Sequence, residues 1–163
     1  ILFLNEYIIV KLEGVDYMCN NKKDDECKCL AEILTVIAIL QENSECSDNC
    51  LDTCDRGFLG CSPVAIRCNT RPVILYNCCT GTPWEFPITK EDVVCDTTGV
   101  TCSRVLRVEK IDGCCATFRV LQPSTDTETA TAIPFAATNS FVTVNLNCVG
   151  AIRCLQDTFV ECI

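Results

Sequence analysis

Cysteine is the feature that most restricts what this chain can fold into, because it occurs 17 times in 163 residues. That content exceeds the level that marks a disulfide scaffold in short chains. A chain of this length can bury a core without disulfides, so small size alone does not explain the cysteines. Because 17 is odd, at least one thiol cannot pair within the chain. Covalent durability or cross-linking between chains explains the composition better.

The charge balance excludes several kinds of partner. Lysine and arginine total 13, aspartate and glutamate total 22, and the net charge is -9. A negative field repels phosphates, which predicts no nucleic-acid partner and no anionic membrane surface. The chain has no histidine, the usual triad base, general acid near neutral pH and imidazole ligand. The composition therefore favours a structural or binding protein over an enzyme and predicts no cofactor.

The first residues do not have the pattern of an export signal. The apolar run over residues 1–10 is interrupted by Asn5 and Glu6, follows no basic segment and precedes no small-residue cleavage site. It is also too short to span a bilayer. A living cytosol keeps thiols reduced, so disulfides in a protein without an export signal predict oxidation after release from a lysed cell.

The only methionine of the chain, Met18, suggests a second start point. Glu13-Gly14 can be encoded by a purine-rich run that resembles a bacterial ribosome-binding site, and Val15-Asp16-Tyr17 separates it from Met18. This spacing predicts that residues 1–17 lie upstream of the natural chain. The alternative is a genuine extended arm, since residues 7–12 alternate as a strand does.

A helix is predicted from Cys27 to about Glu42. The acidic run Asp24-Asp25-Glu26 offers an N-cap and first-turn acids. Apolar residues cover the helix nearly all round, which indicates burial on more than one side. The second side would contact either the chain's own domain or a neighbouring subunit. A loop with four cysteines follows, so residues 27–62 form one predicted unit after an arm over residues 1–26.

From Pro63 onward the pattern is β. Short β-rich runs bounded by turn residues predict an antiparallel β-sandwich over residues 63–163. The Asp112-Gly113 dipeptide predicts a two-residue hairpin turn between strands 104–111 and 114–121. Further strands are predicted over 64–68, 73–78, 133–137, 141–148 and 149–155. The predicted fold is therefore mainly β, with one N-terminal helix and a cysteine-rich loop.

The cysteines divide into two groups, according to which face of a strand the side chain points to and how easily it can contact a neighbouring chain. Side chains at every second position share a face, so adjacent cysteines in a strand supply one inward and one outward thiol. Chain ends reach a neighbour more easily than strands do. The candidates for bonds between chains are Cys19, Cys27, Cys29, Cys162, Cys79 and Cys115. The candidates for bonds within the chain are Cys114, Cys148, Cys78 and Cys154. A buried pair of Cys114 with Cys148 is expected.

Other uses of the cysteines have weaker sequence support. The pairs around Cys27-x-Cys29 and Cys46-x3-Cys50-x3-Cys54 could hold zinc, but they lack the paired C-x2-C spacing. No C-x-x-C pair suits a redox enzyme, and no histidine is present to activate a catalytic thiol. A secreted disulfide-rich binding module and a zinc-thiolate protein therefore remain as alternatives, and no metal residue is assigned.

Four segments resemble the CotY/CotZ/ExsY family of spore coat and exosporium proteins of bacilli. They are Asn69–Tyr76, Leu106–Glu109, Cys115–Leu121 and Val144–Leu155. The last is the most specific, because few families place cysteines at that spacing in a strand. Two departures stand out: Gly150 occupies a position where the family commonly has cysteine, and Cys78-Cys79 resembles an addition.

The resemblance implies a non-enzymatic building block that assembles with itself into disulfide-hardened arrays or fibres at the spore surface. Other coat or exosporium proteins are further implied partners. It also implies synthesis in the mother-cell cytoplasm without a signal peptide, with oxidation once that cell lyses. The departures imply that the cross-link pattern differs from that of the relatives.

Overall fold

The computed structural model of the protein describes residues 27–43, 68–96, 98–124, 134–161 and 163. The predicted arm 1–26, the cysteine-rich loop and most of the predicted strand 64–68 lie outside them. In chain order the elements of the described residues are α1 (Lys28–Glu42), β1 (Val73–Asn77), β2 (Phe86–Pro87), β3 (Cys102–Ser103), β4 (Leu106–Asp112), β5 (Cys115–Pro123), β6 (Phe135–Asn145), the 3-10 helix η1 (Leu146–Cys148) and β7 (Val149–Cys154). The prediction of a mainly β protein with one N-terminal helix is confirmed.

Five of the strands form one antiparallel sheet in the order β6-β5-β4-β1-β7. β2 and β3 form a separate two-stranded ribbon. One face of the sheet, called the inner face, carries buried apolar side chains such as Leu106, Phe118 and Val120. α1 and the ribbon's Phe86 pack against these residues. This layered antiparallel arrangement is consistent with the predicted sandwich.

The β4–β5 hairpin follows from alternation in its sequence. Leu106 lies opposite Val120, and Val108 lies opposite Phe118, and all four are buried because directly paired residues point to the same face. The tight turn consists of Gly113 and Cys114, since Asp112 is already paired with Cys115. Gly113 has a φ of 57°, which glycine adopts without steric cost. The turn is thus one residue later than predicted, and Cys114 is not in a strand.

The two strands predicted over 133–137 and 141–148 are one strand, β6. β6 ends at Asn145, whose side-chain oxygen accepts a hydrogen bond from the Asn147 N–H at 3.0 Å. That local bond competes with strand pairing, and the chain enters η1. Cys148 therefore lies in a 3-10 helix, and the strand alternation used to place it does not apply.

α1 buries one face against the sheet and exposes the other. Leu34 and Ile37 are buried in the core, whereas Val36 and Ile39 remain 44% and 51% exposed. The helix begins at Lys28, after an N-cap at Cys27 whose side chain makes no capping hydrogen bond. The predicted first-turn acids precede the helix, so that detail was wrong. Among the described residues, no helix is long and apolar enough to cross a membrane.

A buried polar network joins the end of α1 to the sheet and to the C-terminal segment. Arg71 donates two hydrogen bonds to the Asp157 carboxylate, each 2.8 Å long. The Gln41 amide accepts from the Arg71 N–H at 3.2 Å and donates to the Val108 carbonyl at 2.8 Å. Each of these groups leaves water, so the bonds are needed to offset the desolvation of the charges.

Candidate cross-linking site

The Cys27–Cys114 disulfide closes one end of the molecule. It joins the N-cap of α1 to the β4–β5 turn across 87 residues of sequence, with the two α-carbons 5.6 Å apart. α1 packs on β4, which brings its first residue to the turn that ends β4. The expectation that Cys27 links subunits is therefore corrected, because its sulfur is bonded within the chain. Cys114 does bond within the chain, but to Cys27 and not to the predicted Cys148.

A second disulfide joins Cys95 to Cys102, with α-carbons 5.9 Å apart. It closes a short loop that leads into β3, directly after the exposed Val93 and Val94. The sequence interpretation missed this pair. The available signal was the small separation of seven residues, which brings two loop cysteines within bonding reach without help from the rest of the fold.

Cys79 and Cys154 also take part in disulfides. Cys79 was a candidate for a bond between chains, and that expectation is corrected here. Cys154 was a candidate for a bond within the chain, and it lies opposite Val73 on β7. Cys78 is half-buried beside the exposed Cys79, and their sulfurs are 3.6 Å apart.

Gly150 lies against the main chain of Cys78. Gly150 on β7 faces Cys78, and a β-carbon built at Gly150 would lie 2.9 Å from the Cys78 α-carbon. Real β-carbons do not approach a backbone so closely, so only glycine fits there. The Cys78 N–H also donates to the Cys148 carbonyl at 2.9 Å. The glycine thus allows β7 to pass close to the main chain at Cys78.

Two exposed cysteines, Cys29 and Cys115, are unpaired. Cys29 lies in the first turn of α1, two residues after Cys27, and Cys115 directly follows Cys114. Both thiols therefore flank the same disulfide at the same end of the molecule. Cys115 lies opposite Asp112 on one side and Asn145 on the other. It is exposed, as the alternation of β5 predicts.

Cys148, which the sequence placed in a strand, lies in η1. It is half-buried and unpaired. It opens onto a groove next to β6, together with Trp84 and Val144. Two further candidates for bonds between chains, Cys19 and Cys162, lie outside the described residues, and their role stays a prediction.

On the outer face of the sheet, opposite the core, charged side chains pair with each other and with an aromatic ring. Glu109 accepts from Arg107 at 2.8 Å and from Arg119 at 2.9 Å. The Arg119 guanidinium also lies over the Phe141 ring, 4.6 Å from its centre. Glu109 thus bridges two arginines on neighbouring strands.

The described cysteines do not assemble a metal centre. Within the described ranges, no three cysteine or acidic side chains converge closely enough to hold a metal ion. Cys27, which the zinc alternative would use, has its sulfur in a disulfide. The remaining zinc-alternative cysteines of the loop lie outside those ranges.

These features define a class: a small antiparallel β protein, stapled by disulfides, that presents unpaired thiols at its surface. The family model for spore coat protein Z matches residues 18–157, which is most of the chain. The chain therefore belongs to the spore coat protein Z family, and its role is structural, in the coat of the spore. No curated protein and no solved structure matches it.

Proposed function

We propose that this protein assembles with itself into a disulfide-cross-linked polymer of the outer spore layers, using Cys29 and Cys115 as its linking thiols. The supporting observation is the pair of exposed, unpaired cysteines beside the Cys27–Cys114 bridge. The other interpretation of the sequence, a monomeric secreted binding module, gives no use to two such thiols.

Two thiols per subunit are the minimum for a chain of subunits. One reactive cysteine can join two copies and then stops, whereas two allow each copy to bond to two neighbours. Cys29 sits on a helix and Cys115 on a strand, and the bridge between them ties these two elements together. The positions of the thiols are therefore fixed relative to each other, which suits a regular assembly.

Formation of each bond between chains is an oxidation. Two thiols lose two protons and two electrons to an oxidant, such as dioxygen, and become one disulfide. The mother-cell cytosol keeps thiols reduced, and the surroundings of a released spore are oxidising. Synthesis without a signal peptide and cross-linking after lysis are the expected sequence of events. Cys19 and Cys162 are proposed as further links from the chain ends, with other coat proteins as further partners.

The double variant Cys29→Ser/Cys115→Ser tests this function. In oxidising buffer, non-reducing electrophoresis of the wild-type protein should show a ladder of oligomers that reductant removes. The double variant should give a weaker ladder of shorter oligomers than the wild-type protein while keeping its β circular-dichroism spectrum, because only links from the chain ends remain. Cys148→Ser is the matched control, since it removes an unpaired thiol that is half-buried, and it should keep the ladder.

Two results would contradict the proposal. A wild-type protein that stays monomeric in oxidising buffer at high concentration would favour the secreted binding module. A double variant with an unchanged ladder would show that other cysteines make the links.

A further inference from the structure

Among the described residues, β6 is an edge strand of the five-stranded sheet with no strand on its outer side. It is 11 residues long, Phe135–Asn145, and contains no charged residue and no proline. Natural proteins usually protect such an edge with charges, proline or short length, because its unpaired N–H and C=O groups can bind another strand. The opposite edge, β7, follows that rule: it has 6 residues and carries Arg153.

A groove of about 430 Å³ lies between β6 and residues near β1 and β2, among them Asn77, Cys79 and Trp84. Its β6 wall consists of the consecutive residues 142–145, whose side chains alternate between the two faces of the sheet. Val142 of β6 and the opposite wall of the groove pack against the same core, so the groove adjoins the inner face of this edge strand. The opposite wall contains Trp84 and Phe86, which meet edge to face with ring centres 6.2 Å apart. Within the described ranges, an edge strand without a partner on its outer side and an apolar groove thus lie next to each other.

We propose that β6 of a second copy of this chain pairs antiparallel with β6 along this edge, which forms one continuous sheet across the two copies. The inference rests on the proposed self-assembly and names the surface that it uses. Backbone hydrogen bonds between strands would supply the attraction, and side chains of the incoming strand would enter the groove. Pairing of the same strand in both copies gives a two-fold symmetric contact.

The charge distribution favours a second copy of this chain as the partner that pairs with β6. The chain carries a net charge of -9, so two copies repel each other over most of their surfaces. The β6 edge is a long stretch of main chain where they can approach without placing like charges opposite each other. The only charged side chain that lines the groove, Glu85, is paired with Arg104. Because β6 carries no charged side chain, two copies of β6 can pair without charge repulsion between them.

This contact and the thiol contact have different consequences. A two-fold contact closes on itself and yields only a dimer. The thiols Cys29 and Cys115 lie at the end of the sheet, where β5 begins, so they remain available to join one dimer to the next. The edge would therefore align the copies without a covalent bond, and the disulfides would extend and harden the assembly.

The test measures association when no disulfide between chains can form. The full chain carries Cys148→Ser, which keeps alkylating reagent out of the groove. It is oxidised in dilute solution after purification so that its intrachain disulfides form, and its remaining exposed thiols are then capped with iodoacetamide. Sedimentation equilibrium should then show a monomer–dimer equilibrium. Asn139→Lys/Thr143→Lys, at exposed β6 positions, should raise the dissociation constant at least about tenfold, because lysines meet along one seam. Ala151→Lys/Gln156→Lys adds the same charge at exposed positions on and after β7 and should leave the constant unchanged.

Hydrogen exchange supplies a second measurement on the unsubstituted edge. Amides of residues 135–145 should gain protection as protein concentration rises, and those of 149–154 should not. A protein that is monomeric at every concentration would overturn the proposal, as would equal effects of the two lysine pairs. Neither outcome bears on cross-linking, because the ladder of uncapped wild-type protein is read separately in oxidising buffer.

Discussion

The two ends of α1 are attached to the sheet by different chemistry. At the N-terminal end, Cys27 is bonded covalently to Cys114 in the β4–β5 turn. At the C-terminal end, Gln41 is hydrogen-bonded to the Val108 carbonyl and to the Arg71 N–H. Arg71 in turn holds Asp157, and the exposed fractions of their side chains are 1% and 3%.

Because the chemistry differs, different conditions should detach the two ends of α1 from the sheet. A disulfide depends on the redox state of its surroundings, whereas a buried polar network depends on all of its partners being present. Reduction should therefore free the first turn of α1 and leave the last turn docked on β4. Substitutions in the polar network should act equally in oxidising and reducing buffer.

The largest effect is expected from Arg71→Met. It leaves the buried Asp157 carboxylate without its bidentate partner, which should lower the free energy of unfolding by about 3–5 kcal/mol. Urea denaturation followed by circular dichroism measures this change, with and without reductant. The control is Arg71→Met/Asp157→Leu, which removes both charges and should cost less than the single change. Equal losses would mean that packing around Arg71, and not the charge pair, stabilises this end.

The Cys27→Ser/Cys114→Ser variant removes the covalent attachment. In oxidising buffer it should be about 2–4 kcal/mol less stable than the parent chain, because the bridge restricts the unfolded state. In reductant the two proteins should unfold at the same urea concentration. Hydrogen exchange should rise at the start of α1 and stay constant at its end. Exchange that rises along the whole helix would show that its two ends are not held independently.

Local patterns in the sequence were sufficient for the strands but not for the cysteine pairs. The alternation in β5 correctly places Ala116, Phe118 and Val120 on the buried face, because side-chain direction in a strand depends only on position. The same rule does not apply to Cys114 and Cys148, since one lies in a turn and the other in η1. Cys114 nevertheless packs against the core, as expected. A shift of a strand end by one or two residues is enough to invalidate the rule.

Pairing across the fold could not be read from the sequence at all. The Cys27–Cys114 bond spans 87 residues, and it depends on how α1 packs on β4. The exposed position of Cys115 was predicted, while the intrachain bond of the neighbouring Cys114 to the helix was not. Alternation along a strand predicts which side chains are exposed. The disulfide partner of a cysteine follows only from how the helix and strands pack together.

The buried polar residues were missed for a related reason. The helical pattern highlights Leu34 and Ile37, and Gln41 continues their face of α1 as a polar residue. Its burial makes sense only when the Val108 carbonyl and the Arg71 N–H are known to be its partners. Hydrogen-bond partners 67 and 30 residues away leave no local signal.

The smallest effect, and the sharpest comparison of the two helix ends, is expected from Gln41→Met. Methionine has a similar length and helix propensity, so the change removes mainly the two hydrogen bonds. The Val108 carbonyl and Arg71 N–H would be left without these partners, which should cost about 1–3 kcal/mol in the free energy of unfolding. The exposed neighbour Glu42→Gln is the control and should stay within about 0.5 kcal/mol of the parent. The Gln41→Met loss should be the same with and without reductant. If it grows when the Cys27–Cys114 bridge is reduced, the two attachments support each other, and α1 is held as a single unit.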